Sequence, residues 1–291
     1  MKSTRSTGPD AIAIIGGSGL YDMEGFQSRK THKVTTPFGK PSDTIIEGRL
    51  HGKKVFFLPR HARGHRLLPS EINFRANIFA LKKLGVRNIF SVSAVGSLQE
   101  KFRPGHFVLV DQFVDRTKGI RKSSFFGEGL VGHVSMARPV CTHMRSSIIA
   151  GKRDLPLMMH ENGTYLCMEG PNFSTHAESL INHQAGIAVI GMTNVPEAYL
   201  AREAGLCYAT IAMVTDYDSW NEHEEAVNVE TVVAVMKENV ARARQLMSKV
   251  IGAFENNATC SCRSASQFAV MTDPKLIPAK QKSILKVLQS A

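Results

Sequence analysis

The sequence predicts an α/β protein, a sheet buried on both faces beneath helices, and three observations carry that expectation. Short continuous apolar runs recur along the chain, several of them followed by stretches of helical periodicity, as strands covered on both sides require. No repeat, low-complexity tract or composition break divides the 291 residues, so one domain is expected over 11–291, behind a flexible polar segment, 1–10. The unusual residues cluster just after the apolar runs, where open α/β sheets bind ligands.

Strands are expected at 11–15, 55–58, 88–93, 107–110, 163–168, 188–192 and 209–214. Helices are expected at 69–84, 174–184 and 196–204, the last closed by Gly205, a residue suited to a helix C-terminus. The clearest helix is 227–250, where Val229, Val232, Val233, Met236, Val240 and Leu246 recur at helical spacing with charges on the other face. Residues 252–266 read as a polar loop, and 278–288 as a final helix with Pro278 in its first turn.

An apolar fraction of 43% and a charged fraction of 21% are those of an ordinary soluble enzyme. No apolar run approaches the roughly 20 residues that span a bilayer, and the first residues lack the apolar stretch of a secretory signal. A cytoplasmic protein is expected, with nuclear presence open and no membrane partner. The net charge of +11 is uneven: residues 1–125 hold 22 Lys and Arg against 9 Asp and Glu, the remainder 14 against 16. Such a half fits a nucleic acid or a small anion equally, but the basic residues are dispersed, which weighs against nucleic acid. Five cysteines make no disulfide framework. Cys260-Ser261-Cys262 is too close-set for an ordinary zinc half-site, and the sequence offers no second pair, so reduced thiols are expected.

Three strand ends carry anion donors. Gly16-Gly17-Ser18-Gly19 follows the first; glycines let backbone amides approach an anion, and Ser18 adds a hydroxyl. A dinucleotide fingerprint would need a further glycine where Asp22 stands, and Glu24 comes too early to hold a ribose. Arg60-His61-Ala62-Arg63-Gly64-His65-Arg66 follows the second, and Arg60 could grip phosphate through a two-pronged fork. A solvated basic loop is the plainer alternative, and a His61/His65 metal pair lacks a third ligand. Ser93-Ala94 ends the third strand. Further on, Phe173 could stack on a base, Met192 offers soft apolar surface and Thr193 a hydroxyl. At the last strand end stand Asp216 and Asp218. A carboxyl can accept from an exocyclic amine and, when protonated, donate to a neighbouring ring nitrogen, as an adenine edge requires.

Together, Ile14-Ile15-Gly16-Gly17-Ser18-Gly19-Leu20, Thr36-Pro37-Phe38-Gly39-Lys40-Pro41-Ser42-Asp43, Arg60-His61, Asp111-Gln112-Phe113-Val114-Asp115-Arg116-Thr117, Met168-Glu169-Gly170-Pro171, Val195-Pro196-Glu197 and Thr215-Asp216-Tyr217-Asp218 resemble the trimeric purine nucleoside phosphorylase family, in its methylthioadenosine branch. The resemblance spans roughly residues 11 to 271. It implies a single-domain fold with a central mixed β-sheet flanked by helices, a homotrimer, and no cofactor or metal, inorganic phosphate being a co-substrate. It implies that Ser18, Arg60, His61, Ser93, Ala94 and Thr193 bind phosphate, that Met192 contacts ribose, that Phe173 borders the base, and that Asp216, Tyr217 and Asp218 hold adenine. His133 and Met271 match positions that line the 5'-pocket of a neighbouring subunit. Some archaeal relatives carry a Cys-x-Cys as a local disulfide.

The family's 6-oxopurine enzymes carry Glu where Ser174 stands, Asn where Asp216 stands and His where Val229 stands, so this chain favours a 6-aminopurine with an apolar 5'-group. The expected reaction is phosphorolysis of 5'-methylthioadenosine, with Asp216 and Arg60 catalytic. Departures are Ser18 and Ser93 for threonines, Asn172 for arginine, Gly191 for asparagine and Met271 for leucine. A broader or 6-oxopurine phosphorylase is the alternative, a nucleosidase a more distant one, and neither a nucleic-acid binder nor a dinucleotide enzyme fits as well.

Overall fold

A computed structural model describes residues 11–21, 23–221 and 229–290, and leaves the side chains of Ser18, Tyr21, Ser28, Arg29, Val229 and Thr231 undescribed. The expected segment 1–10, the first two residues of the expected 227–250 helix, and the Ser18 and Val229 side chains therefore lie outside the described residues.

Strands β1 (Ala11–Gly16), β2 (Gln27–His32), β3 (Ile45–Leu50), β4 (Lys53–Pro59), β5 (Val86–Ser97), β6 (Phe107–Leu109), β7 (Gln112–Arg116), β8 (Met159–His160), β9 (Thr164–Met168), β10 (Val189–Gly191) and β11 (Cys207–Asp216) form one mixed sheet. Helices are α1 (Phe74–Lys83), α2 (Thr142–Lys152), α3 (His176–Gln184), α4 (Asn194–Glu203), α5 (Val229–Ala253) and α6 (Ala279–Leu288). Alternation along β1 shows the two-sided burial that its unbroken apolar run predicts. Ile12 and Ile14 face a core with Met144 and Ile148 of α2 and Leu246, Met247 and Val250 of α5. Ala13 and Ile15 face one with Ile78 of α1, Ala201 of α4 and Ile284 of α6. All seven expected strands are present. No helix among the described residues is long and apolar enough to cross a membrane.

The site is positioned by β5. Along one edge it pairs β11 in parallel from Asn88 to Gly96. Along the other it pairs β1 in parallel up to Ser91 and then β10 in antiparallel sense at Gly96 and Ser97. Residues 92–95 fall between those two pairings, where β1 and β10 have diverged. The split is the equivalent of a topological switch point, and it opens at the carboxyl ends of β1 and β10.

Several boundaries differ from expectation. The 69–84 helix is two pieces: a 3-10 turn, Pro69–Glu71, then extended Ile72, then α1, whose N-cap Asn73 accepts from the Ala76 N–H. Thr175 and Glu178 form a capping box, so α3 starts two residues after Ser174. Pro278 is an N-cap rather than a first-turn residue, and the 252–266 loop contains a 3-10 turn, Ser261–Ser264.

Candidate functional site

A cavity of about 420 Å³ occupies the split. Its polar end holds Arg60 and His61 after β4, Ser93 and Ala94 of β5, and Thr193 after β10; its far end holds Asp216, the last residue of β11, and Asp218 beyond it, with Phe173 and Met192 along the side. These nine predicted residues, drawn from four strands and the loop before α3, meet in one place, and Arg60 and Asp216 share the same space.

Arg60 is 2% exposed, and its fork does not point at the cavity. Nε donates to Glu197 Oε2 at 2.7 Å and Nη2 to Glu197 Oε1 at 2.9 Å; Nη2 also donates to Ser91 Oγ at 2.7 Å and Nη1 to the Val92 carbonyl at 3.1 Å. The expected two-pronged grip on phosphate is thus corrected: the prongs hold Glu197, a residue the sequence reading left without a role. Arg60 still lines the cavity and offers it a fixed positive charge. Burial alone would lower its pKa, but Glu197 outweighs burial and raises it, so the cation is permanent.

His61 is held differently. Its Nδ1 lies 2.9 Å from the Leu67 carbonyl, which can only accept, so Nδ1 carries the proton and Nε2 is left as an acceptor. Burial first, then the neighbouring Arg60 and His65, lowers its pKa to about 4 against the pull of that carbonyl, so the ring is neutral at pH 7. His65 stacks on it at 4.3 Å and 15° and also lines the cavity.

Ser93 Oγ lies 3.3 Å from Thr193 Oγ1 and 3.4 Å from the hydroxyl of buried Tyr165, whose phenol burial pushes up to about 12. That tyrosine accounts for Gly191: a Cβ there would sit 2.0 Å from the Tyr165 hydroxyl. Gly191→Ala is therefore expected to destabilise the fold by about 1–3 kcal/mol, measured by urea unfolding, as overpacking in a dense core does.

Asp216 lies at the cavity's other end. Oδ2 accepts from Thr215 Oγ1 at 2.7 Å and Oδ1 from the Asp218 N–H at 2.9 Å. Burial, with a smaller contribution from the Asp218 charge, raises its pKa above the ordinary value despite those donors. Asp218 faces the same way, its carboxylate taking the Ser179 hydroxyl. Tyr217, between them, turns outward and donates to the Glu100 carbonyl at 3.2 Å, so the expectation that it helps hold adenine is corrected: residues two apart share a side, and the one between does not.

Ser174 also misses the cavity lining; its hydroxyl bonds Met168 Sδ at 3.9 Å, and it is Met168 that faces the cavity. His133 and Met271 stand together away from the cavity, on a ribbon bridged at Gly132 and Val270. The His133 N–H donates to the Ala269 carbonyl and the Met271 N–H to Val131, each at 2.9 Å.

Sequence reasoning missed three structural anchors. Glu197 also takes the Ser91 and Tyr208 hydroxyls, each at 2.9 Å. Buried Arg121 joins the segments that follow β9 and β10, donating to Glu169 Oε1 at 2.6 Å and to the Met192 carbonyl at 2.7 Å. The signal was available, since Glu169 and Glu197 are charges inside otherwise apolar stretches and need a buried partner. The apolar wall, Val232, Met236 and Val240 of α5 with Leu20 and Met213, was visible only as helical periodicity.

A fixed cation and a hydroxyl cluster at one end, and a raised carboxyl at the other, define an enzyme site that brings an oxyanion against a ligand read by hydrogen bonds. Residues 11–252 match the Phosphorylase superfamily, and the chain belongs to that superfamily. It is 50% identical over 277 residues to the S-methyl-5'-thioadenosine phosphorylase of Geobacter sulfurreducens, covering 95% of this chain and 97% of the relative. It is 53% identical over 264 residues to that of Hyperthermus butylicus, covering 89% and 95%. A methylthioadenosine phosphorylase structure from an antarctic soil metagenomic library superposes with a TM-score of 0.91 at 45% identity, covering 96% of this chain and 99% of that one. The Schistosoma mansoni methylthioadenosine phosphorylase in complex with adenine gives 0.84 at 38%, covering 90% and 99%.

Proposed function

We propose that the chain splits 5'-methylthioadenosine with inorganic phosphate, releasing adenine and 5-methylthioribose 1-phosphate, a purine and methionine salvage reaction. One observation carries this reading: the anion-binding end and the Asp216 carboxyl lie in one cavity, with an apolar wall from α5 beside them. The relatives' names agree with it.

Phosphate binds at Arg60, His61, Ser93, Ala94 and Thr193, with Ser18 at the same strand edge. Neutral His61 takes a hydrogen bond from a protonated phosphate oxygen, while Arg60 and the hydroxyls meet the charged ones. Met192 flanks the ribose and Phe173 covers the base. Protonated Asp216 donates to the purine N7 and draws electrons from the breaking bond. Phosphate stabilises the cationic sugar as it forms and then traps it. The assignment asks for no cofactor and no metal in this cavity.

The enzyme is a cytoplasmic homotrimer on this reading, in which a neighbouring copy's His133 and Met271 close the 5'-pocket. Exposure of Val131, Phe268 and Met271 around that ribbon, at 53%, 87% and 69%, supports a covered face there. The decisive measurement is adenine release from 5'-methylthioadenosine, adenosine and inosine, each with and without phosphate. Phosphate-independent release would replace this reading with hydrolysis. Because Met236 forms part of the apolar wall, Met236→Ala is expected to lower kcat/KM for 5'-methylthioadenosine about tenfold or more, with a smaller fall for adenosine, the scale of a lost apolar contact.

A further inference from the structure

Far from the cavity, the fold gathers four of the five cysteines. Cys141 is the N-cap of α2, Cys207 opens β11, and Cys260 and Cys262 flank the start of the 3-10 turn Ser261–Ser264. Their four Sγ atoms all lie within 4.8 Å of one another, and Cys141 and Cys260 are 3.6 Å apart. Cys141, Cys207 and Cys262 are buried, and all four thiols are free. Among the described residues this is the only group of three or more potential metal ligands.

We propose that Cys141, Cys207, Cys260 and Cys262 form a closed tetrathiolate site for one structural Zn²⁺ ion. A tetrahedral zinc with Zn–S bonds of about 2.3 Å has sulfurs about 3.8 Å apart, within the spacing already present. The sequence offered no second pair because Cys141 and Cys207 lie far from Cys260 in the chain. The fold supplies that pair. The Cys141 N–H donates to the Tyr208 carbonyl at 2.8 Å, which fixes the start of α2 beside the start of β11. Gly205 then lets the third segment approach. With φ +62°, it lies under the 3-10 turn so closely that a Cβ would meet the Arg263 carbonyl oxygen at 2.9 Å.

Binding replaces four S–H bonds with four Zn–S bonds and releases four protons to solvent, leaving a net charge of −2 at the site. Arg202, whose Nε is buried without a hydrogen-bond partner among the described residues and whose charge acts on Cys262, offsets part of that charge. All four ligands come from protein, so no position is left for substrate. The site also stands at the opposite end of β11 from Asp216, a strand length of about 30 Å. Its role is to tie α2, β11 and the segment after α5 together.

The test uses the full-length protein, purified under reducing conditions without a metal-affinity step. Zinc by plasma mass spectrometry is expected at about one equivalent per chain, as a single closed site requires. After chelation, Co²⁺ alone should restore a thiolate-to-cobalt charge-transfer band, and Cys260→Ser with Cys262→Ser should abolish both signals. If that variant fails to fold, zinc content and cobalt uptake of the unaltered protein decide. Reduced protein that holds no zinc and takes up no cobalt overturns the proposal. So does protein purified without reductant that has lost four hydrogens by intact mass and resists cobalt after reduction.

Discussion

Asp216→Asn is expected to lower kcat/KM for 5'-methylthioadenosine by at least about tenfold, where a positioned proton donor contributes about 100-fold or more, while leaving the melting temperature at pH 7 unchanged or higher. The two outcomes share a cause. Burial raises the Asp216 pKa above its unfolded value, so its contribution to stability is fully present below the unfolded pKa and is lost as pH rises through the folded one. At neutral pH a buried ionised carboxyl is a cost, and an amide removes the charge. The amide also fits the local bonds. Its oxygen can take the Asp218 N–H, and the Thr215 hydroxyl, once its single proton turns from Asp216 to the Val95 carbonyl at 3.1 Å, can accept from the new NH₂. Activity follows the same proton in the same direction as stability: the wild-type rate falls as pH rises through the raised pKa, and the variant lacks that limb. An amide also donates to a 6-carbonyl, so residual activity should move toward inosine. Unchanged turnover in the variant would remove Asp216 from the mechanism.

What the sequence made legible followed the strength of the hydrophobic signal. β1, β4, β5 and β11 are continuous apolar runs because both their faces are buried, and they were placed within a few residues. β2 reads Gln-Ser-Arg-Lys-Thr-His and β7 has two exposed ends; such strands near or at a sheet edge carry little pattern, and both went unread. α2 was missed for a related reason: only Met144, Ile148 and Gly151 of its eleven residues are buried. The site was legible as residue types gathered at strand ends, since the switch point requires them there. Their pairings were not. Arg60 and Glu197 lie 137 positions apart, and nothing local distinguishes a guanidinium that faces a ligand from one that faces a buried carboxylate. Gly191 was a bare departure from the family's asparagine until Tyr165 was seen filling the space.

Glu197→Ala is expected to cost about 3–5 kcal/mol of stability, the range for removing one partner of a buried ion pair. In a chain of this size that lowers the melting temperature by on the order of 10 °C, read by calorimetry. Both side chains are sealed, at 2% and 1% exposure, so water cannot take the place of the lost carboxylate. Arg60, Ser91 and Tyr208 would all lose an acceptor together. Glu197→Gln separates charge from hydrogen bonding, because it keeps the volume and one acceptor oxygen but leaves the Arg60 cation unbalanced. Stability near wild type in the glutamine variant would mean that the hydrogen bonds matter most, and stability near the alanine variant that the ion pair does. The kinetic consequence runs through phosphate rather than nucleoside. Glu197 touches neither in the proposed mechanism, but it fixes the guanidinium of Arg60, which lines the cavity. Its loss should therefore raise KM for phosphate more than KM for 5'-methylthioadenosine. Equal effects on the two substrates would show that Glu197 supports the fold without orienting Arg60.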